Sequence, residues 1–121
     1  MGTDEEVSTP AAKRRKPGTS PTQRTLAELR KRGYLAAVVE KWNMHAKIRQ
    51  DLFGLIDVIG LGDGETIAVQ CTTAAHIADR VQKIADSDKV DMIRKAGWKI
   101  VVQGWRKDST GHWIVREVDC S

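Results

Sequence analysis

Residues 54–73 read GLIDVIGLGDGETIAVQCTT, and the interpretation of this stretch decides the fold. Two apolar runs flank Leu61-Gly62-Asp63-Gly64, whose glycines accept the positive φ angles that a tight reversal needs. The spacing predicts an antiparallel hairpin with strands over 55–60 and 65–72. If Gly60 faces Glu65, period-two alternation puts Asp57, Ala68, Gln70 and Thr72 on one face, with Asp57 diagonal to Gln70. A carboxylate inside an apolar strand is costly unless it meets a cation or several donors, and a divalent metal held by oxygens is one solution. An aspartate and a second oxygen ligand over one metal make a hydrolytic centre, in which the ion activates water and neutralises a phosphodiester. The other reading leaves Asp57 bonded to backbone amides or to Arg49, with Gln70 a satisfied polar residue of the core.

Working outward, Thr25-Leu-Ala-Glu28 has the capping-box pattern of a helix start, and Gly33 supplies its stop. Tyr34 to Trp42 is rich in aromatic and β-branched residues and predicts a strand; 43–53 predicts a polar connection. After the hairpin, Thr72 or Thr73 caps a helix reaching about Asp86, with Ile77, Val81 and Ile84 along one face. Ser87 or Asp88 begins a second short helix, which Gly97 ends. Strands over 98–105 and 112–118 follow, joined by the polar turn 106–111. The order αβββααββ implies an α/β fold with a mixed sheet of about five strands flanked by helices.

The 121 residues fit one domain, 23–121, behind an N-terminal tail, 1–22, that has almost no apolar content to repay ordering. Twenty Lys and Arg against sixteen Asp and Glu give a net charge of +4, which permits polyanion binding without requiring it. Lys13, Arg14, Arg15 and Lys16 form a basic cluster that suits a phosphate-gripping arm, a nuclear localisation signal or a solvated charge run. Cys71 and Cys120, far apart and without a secretory h-region ahead of them, read as reduced thiols of an intracellular protein. No apolar run approaches the roughly 20 residues that cross a bilayer. No zinc-ligand spacing, Walker loop, nucleophile elbow or dinucleotide fingerprint is present.

Gly54-Leu-Ile-Asp57, a hairpin, Ile67-Ala-Val-Gln-Cys-Thr72 and an amphipathic helix together resemble the PD-(D/E)XK nuclease core. The pattern is similar to small phage-type Holliday-junction-resolvase-like and VRR-NUC proteins, and Ala96-Gly-Trp-Lys-Ile-Val-Val102 resembles the helix-glycine-strand that closes their core. The resemblance spans residues 25–105 and implies a restriction-endonuclease-like fold. It matches Asp57 to the metal-binding aspartate, Gln70 to the second acidic ligand, the Cys71 carbonyl to a further ligand and Thr72 to the catalytic lysine. Glutamine and threonine depart from the family's acid and lysine, and that lysine stabilises developing charge in the transition state. Lys47, Arg49, Arg80 and Lys83 are candidate replacement cations, and Glu40 a candidate additional carboxylate.

The function this implies is a Mg²⁺- or Mn²⁺-dependent DNA endonuclease acting on branched or duplex DNA, as a possible homodimer, in the cytoplasm of a bacterial host if phage-encoded. Arg49, Arg106, Lys107 and the basic tail would contact phosphates, and Trp105 could stack on an unpaired base. Two rivals stand beside it: a nuclease-fold module that binds nucleic acid or a protein without cutting, and a structural protein that merely uses the fold.

Overall fold

A computed structural model describes residues 19–121, so the Lys13–Lys16 cluster lies outside the described residues. Helix α1 runs Pro21–Lys31. Its N-cap is Ser20, whose Oγ accepts a 3.2 Å bond from the Gln23 amide, and Pro21 occupies the first turn, where its missing N–H costs nothing. The helix therefore starts ahead of the expected capping box and takes in the end of the expected tail. Thr25 instead lies buried within α1, its Oγ1 accepting a 3.0 Å bond from Trp105 Nε1. Glu28 pairs with Arg32 at 2.8 Å.

Seven strands follow: β1 (Leu35–Val38), β2 (Lys41–Asn43), β3 (Ile48–Gln50), β4 (Val58–Gly62), β5 (Glu65–Thr73), β6 (Lys99–Lys107) and β7 (Trp113–Asp119). Five of them form a mixed sheet in the order β1-β4-β5-β6-β7. Only β5 and β6 pair in parallel, and the crossover between them carries a 3₁₀ turn (Ala74–His76) and helices α2 (Ile77–Ala85) and α3 (Val90–Lys95). Gly97, at φ +82°, ends α3 as expected. The fold is thus α/β with a five-stranded mixed sheet flanked by helices.

Two local expectations are corrected. The strand expected over 34–42 breaks after Val38, its last two residues opening the separate β2–β3 hairpin, which continues into the stretch 43–53 expected as a polar connection. Asn43 makes that turn by accepting bonds from the amides of His45 and Ala46, both at 3.0 Å. In the main hairpin Gly62 faces Glu65 across a two-residue turn, Asp63-Gly64, with Gly64 at φ +70°. The register shifts by two residues, so Asp57 comes opposite Gln70 rather than diagonal to it. A shift of two keeps every side chain on its face.

Alternate residues of the central strands bury two cores. Val58, Ile67, Val69, Cys71 and Val101 meet Leu26 and Leu29 of α1. Ala68, Ile100 and Val102 meet Ile77, Ile84, Val90 and Ile93 from the crossover helices. Gly104 lets that layer close on β6: a Cβ there would lie 2.4 Å from Ile77 Cδ1 and 3.1 Å from the Ala74 Cα. No described helix is long and apolar enough to cross a membrane.

Candidate metal centre

Asp57 stands just before β4 and is almost wholly buried. Its Oδ2 accepts two bonds of 2.8 Å, from Gln70 Nε2 and from the Cys71 backbone amide. The structure thus realises part of the second sequence reading, in which backbone amides satisfy Asp57. Arg49 does not reach it; the guanidinium lies 3.8 Å from Glu40 Oε1.

Two further carboxylates arrive from the chain between β1 and β4. Glu40 follows the end of β1. Asp51 opens a tight turn closed by the Gly54 N–H to Asp51 carbonyl bond of 2.9 Å, with Phe53 at φ +56° and Gly54 at φ +74°. One carboxylate oxygen from each of Glu40, Asp51 and Asp57 lies within 4.8 Å of the others. Lys83 of α2 reaches the same cluster, its Nζ 3.3 Å from Asp51 Oδ2, and Gln70 Nε2 lies 3.4 Å from that oxygen.

The electrostatics follow from this crowding. Burial, a proton shared with Asp51, and the charges of Asp51 and Glu40 push the Asp57 carboxyl up to about 7, against the opposing pull of the Cys71 amide. Burial raises Asp51 too, but the bond from Asp57, the Lys83 ammonium and the Gln70 amide outweigh it and hold Asp51 below the ordinary carboxylate range. The two aspartates behave as one pair sharing a proton, carried mainly by Asp57. Gln70 Oε1 is buried and accepts no hydrogen bond among the described residues.

These residues fit a hard divalent cation. The three carboxylates offer only oxygen donors and converge within 4.8 Å, while Gln70 faces them through its nitrogen, so its oxygen would ligate only with the amide turned over. Carboxylates in such excess either take up a proton, as Asp57 does, or hold a metal in its place.

The remaining predicted residues divide. Asp57, Gln70 and Glu40 come together as expected. Thr72 is buried on the same face as Gln70, beside Gly104 of β6, and is not part of the carboxylate group. Lys47 sits exposed in the β2–β3 turn and makes no ion pair among the described residues. Of the candidate cations, Lys83 reaches the cluster at Asp51 and Arg49 at Glu40. Cys71 meets Asp57 through its N–H; its thiol packs in the α1-side core, where burial pushes it up to about 12. Arg106 and Lys107 are exposed at the C-terminal end of β6, with Lys107 Nζ 5.3 Å from the Trp113 ring centre. Trp105 is buried against Thr25, which removes it as a base-stacking surface.

Asp51 is the residue that sequence reasoning missed, because it lies in a stretch without periodicity. The signal that could have found it is the turn-forming Asp51-Leu-Phe-Gly54 immediately ahead of the strand. No family model, curated protein or solved structure matches the chain.

Proposed function

We propose that this chain is a metal-dependent endonuclease with a PD-(D/E)XK-like core, hydrolysing phosphodiester bonds in DNA, possible junction substrates included, with Mg²⁺ or Mn²⁺ as its cofactor. The observation that carries the reading is the convergence of Asp57, Asp51 and Glu40 within 4.8 Å on a hairpin-helix frame. Asp57 and Asp51 would hold the ion with Glu40, and Gln70 Oε1 would join the oxygen set once its amide turns over. A bound divalent cation supplies an activated water and neutralises phosphate charge. The chain's own part is to fix the carboxylates: the Cys71 amide orients Asp57, and Lys83 orients Asp51. Lys83 also stands in for the lysine absent at position 72, as a cation available to the charge that develops on phosphate.

The non-cutting module is favoured by one specific observation: Gln70 Nε2, not its oxygen, faces Asp57, so the amide satisfies that carboxylate as a hydrogen-bond donor without metal. The two readings separate in a cleavage assay on labelled four-way junction, flap, single-stranded and duplex DNA. The nuclease reading expects cutting that depends on Mg²⁺ or Mn²⁺, is lost in Asp57→Ala and falls at least tenfold in Lys83→Met. DNA binding that survives in Asp57→Ala, with no cutting by either protein, establishes the module instead.

A further inference from the structure

Beside the metal centre lies an apolar cup of about 470 Å³. Phe53, Met92, Ile93, Ala96 and Trp98 line it, with Asp88 and Lys89 as its charged residues. Next to it is a polar pocket of about 510 Å³ that Arg49, Asp51, Lys83 and Lys89 line. Phe53 and Lys89 belong to both, so the two spaces are neighbours that share a wall.

Phe53 is a costly residue to keep where it is. It is 48% exposed, so its ring gains little from burial, and it holds φ +56°, a conformation that bulky side chains rarely adopt. The turn that imposes this geometry also supplies Asp51, two residues earlier, to the metal centre. Met92, at 69% exposed, adds a polarisable thioether to the same cup. The polar pocket is cationic: Arg49, Lys83 and Lys89 are each at least one-third exposed, and their ion pairs with Glu40, Asp51 and Asp88 are long, at 3.8, 3.3 and 3.3 Å.

A flat apolar group joined to an anion fits this pair of spaces, and a nucleotide has that form. Building on the nuclease reading, we infer that the cup receives one unstacked base of a nucleic-acid strand whose phosphates lie against Arg49, Lys83 and Lys89. The substrate class is therefore DNA with an unpaired nucleotide next to the bond to be cut: a single strand, a flap, a bulge or an open branch. In a continuous duplex the base stays in its stack and the cup is unused. Stacking on aromatic side chains is tolerant of base identity, so the cup selects structure rather than sequence.

The test is binding of two strands of equal length and charge to the full chain in EDTA, read by fluorescence anisotropy: oligo-dT, and a strand in which every position is abasic. Wild type should bind oligo-dT roughly tenfold more tightly, the range expected for one stacked base. Phe53→Ala should erase that difference. Met92→Glu, a change at an exposed position that puts a charge into the cup, should do the same if Phe53→Ala misfolds. Lys89→Gln should weaken both strands alike. Equal affinity of wild type for the two strands, or a base preference that survives in the folded cup variants, overturns the inference and leaves the cup to an apolar side chain of a protein partner. Metal-dependent cutting of DNA, run in parallel, keeps the two proposals apart. Cutting without base preference sinks the cup alone, whereas base preference without cutting sinks the nuclease and retains the base site.

Discussion

Two glutamines on neighbouring strands have nearly the same local bonding and opposite surroundings. Gln70 on β5 donates a 2.8 Å bond to Asp57, and Gln103 on β6 donates a 2.8 Å bond to Glu117. Each is fully buried with a bare Oε1. On the α1 side, however, Glu117 also meets Arg32 at 2.9 Å, and Arg32 is itself tied to Glu28, so the two acids are held apart on one cation. On the opposite side three carboxylates share Lys83 and the more distant Arg49, and burial together with the neighbouring Asp51 and Glu40 raises the Asp57 carboxyl. A buried glutamine with a free oxygen is therefore compatible with plain structure. What distinguishes Gln70 is the convergence of three carboxylates within 4.8 Å of one another, one of them, Asp57, buried.

The strongest way to break this comparison is to add divalent metal. Mg²⁺ or Mn²⁺ should raise the thermal midpoint of wild type, with a stabilisation of about 2.7 kcal/mol once free metal reaches about 100 times its dissociation constant. Asp57→Asn should abolish the response, and Glu117→Gln should leave it intact. An equal response in all three proteins would place the ion elsewhere.

Acidity gives the next largest contrast. The Asp57 carboxyl is raised to about 7 in the folded chain, so the folded state binds the extra proton and its contribution is fully present below the unfolded value of about 3.9. That stability is lost as pH rises through about 7, a fall on the order of a few kcal/mol by linkage. Asp51, held low, acts in the other direction: its contribution is present above its unfolded value and disappears as pH falls through the folded one. Metal-free protein should therefore be most stable in mildly acidic solution, and Asp57→Asn should flatten the alkaline side of the curve. Denaturant midpoints measured between pH 4 and 8 decide this; a wild-type curve that rises to pH 8 refutes it.

The glutamines themselves can then be compared. Gln70→Leu removes a donor from a buried carboxylate and should cost about 1–3 kcal/mol at pH 8. Gln103→Leu should cost less, because Glu117 keeps Arg32. Equal losses in urea unfolding would mean that the two environments do not differ as described. Smallest of all, Lys83→Met should lower stability by less than about 1 kcal/mol, since its ammonium is partly exposed and screened. A larger loss would show Lys83 to be a structural partner of Asp51 more than a reserve of positive charge.

Much of this was legible in the sequence, for identifiable reasons. The hairpin glycines fixed a reversal near residue 63, and although the expected pairing slipped by two residues, parity kept Asp57 and Gln70 on one face. Gly97 ended α3 because only a residue without Cβ accepts that angle cheaply. The start of α1 was misplaced because Thr25-x-x-Glu28 and Ser20-Pro21 are both valid start signals, and the burial of Thr25 against Trp105 is a tertiary fact. Strands β2 and β3, three residues each, are too short for alternation to show. Asp51 stayed hidden because its turn is defined by backbone angles at Phe53 that no propensity scale favours.

The two-residue turn at Asp63-Gly64 also bears on how the protein folds. Asp57 and Gln70 are thirteen residues apart in the chain, and all the oxygen donors of the centre fall between residues 40 and 70. Closing such short loops costs little chain entropy, whereas the parallel β5–β6 pairing must wait for the whole helical crossover to be laid down. Loop closure thus favours gathering the carboxylates by local contacts before the sheet that buries them is complete. A divalent ion bound there, as proposed, would be available at that stage as a folding nucleus.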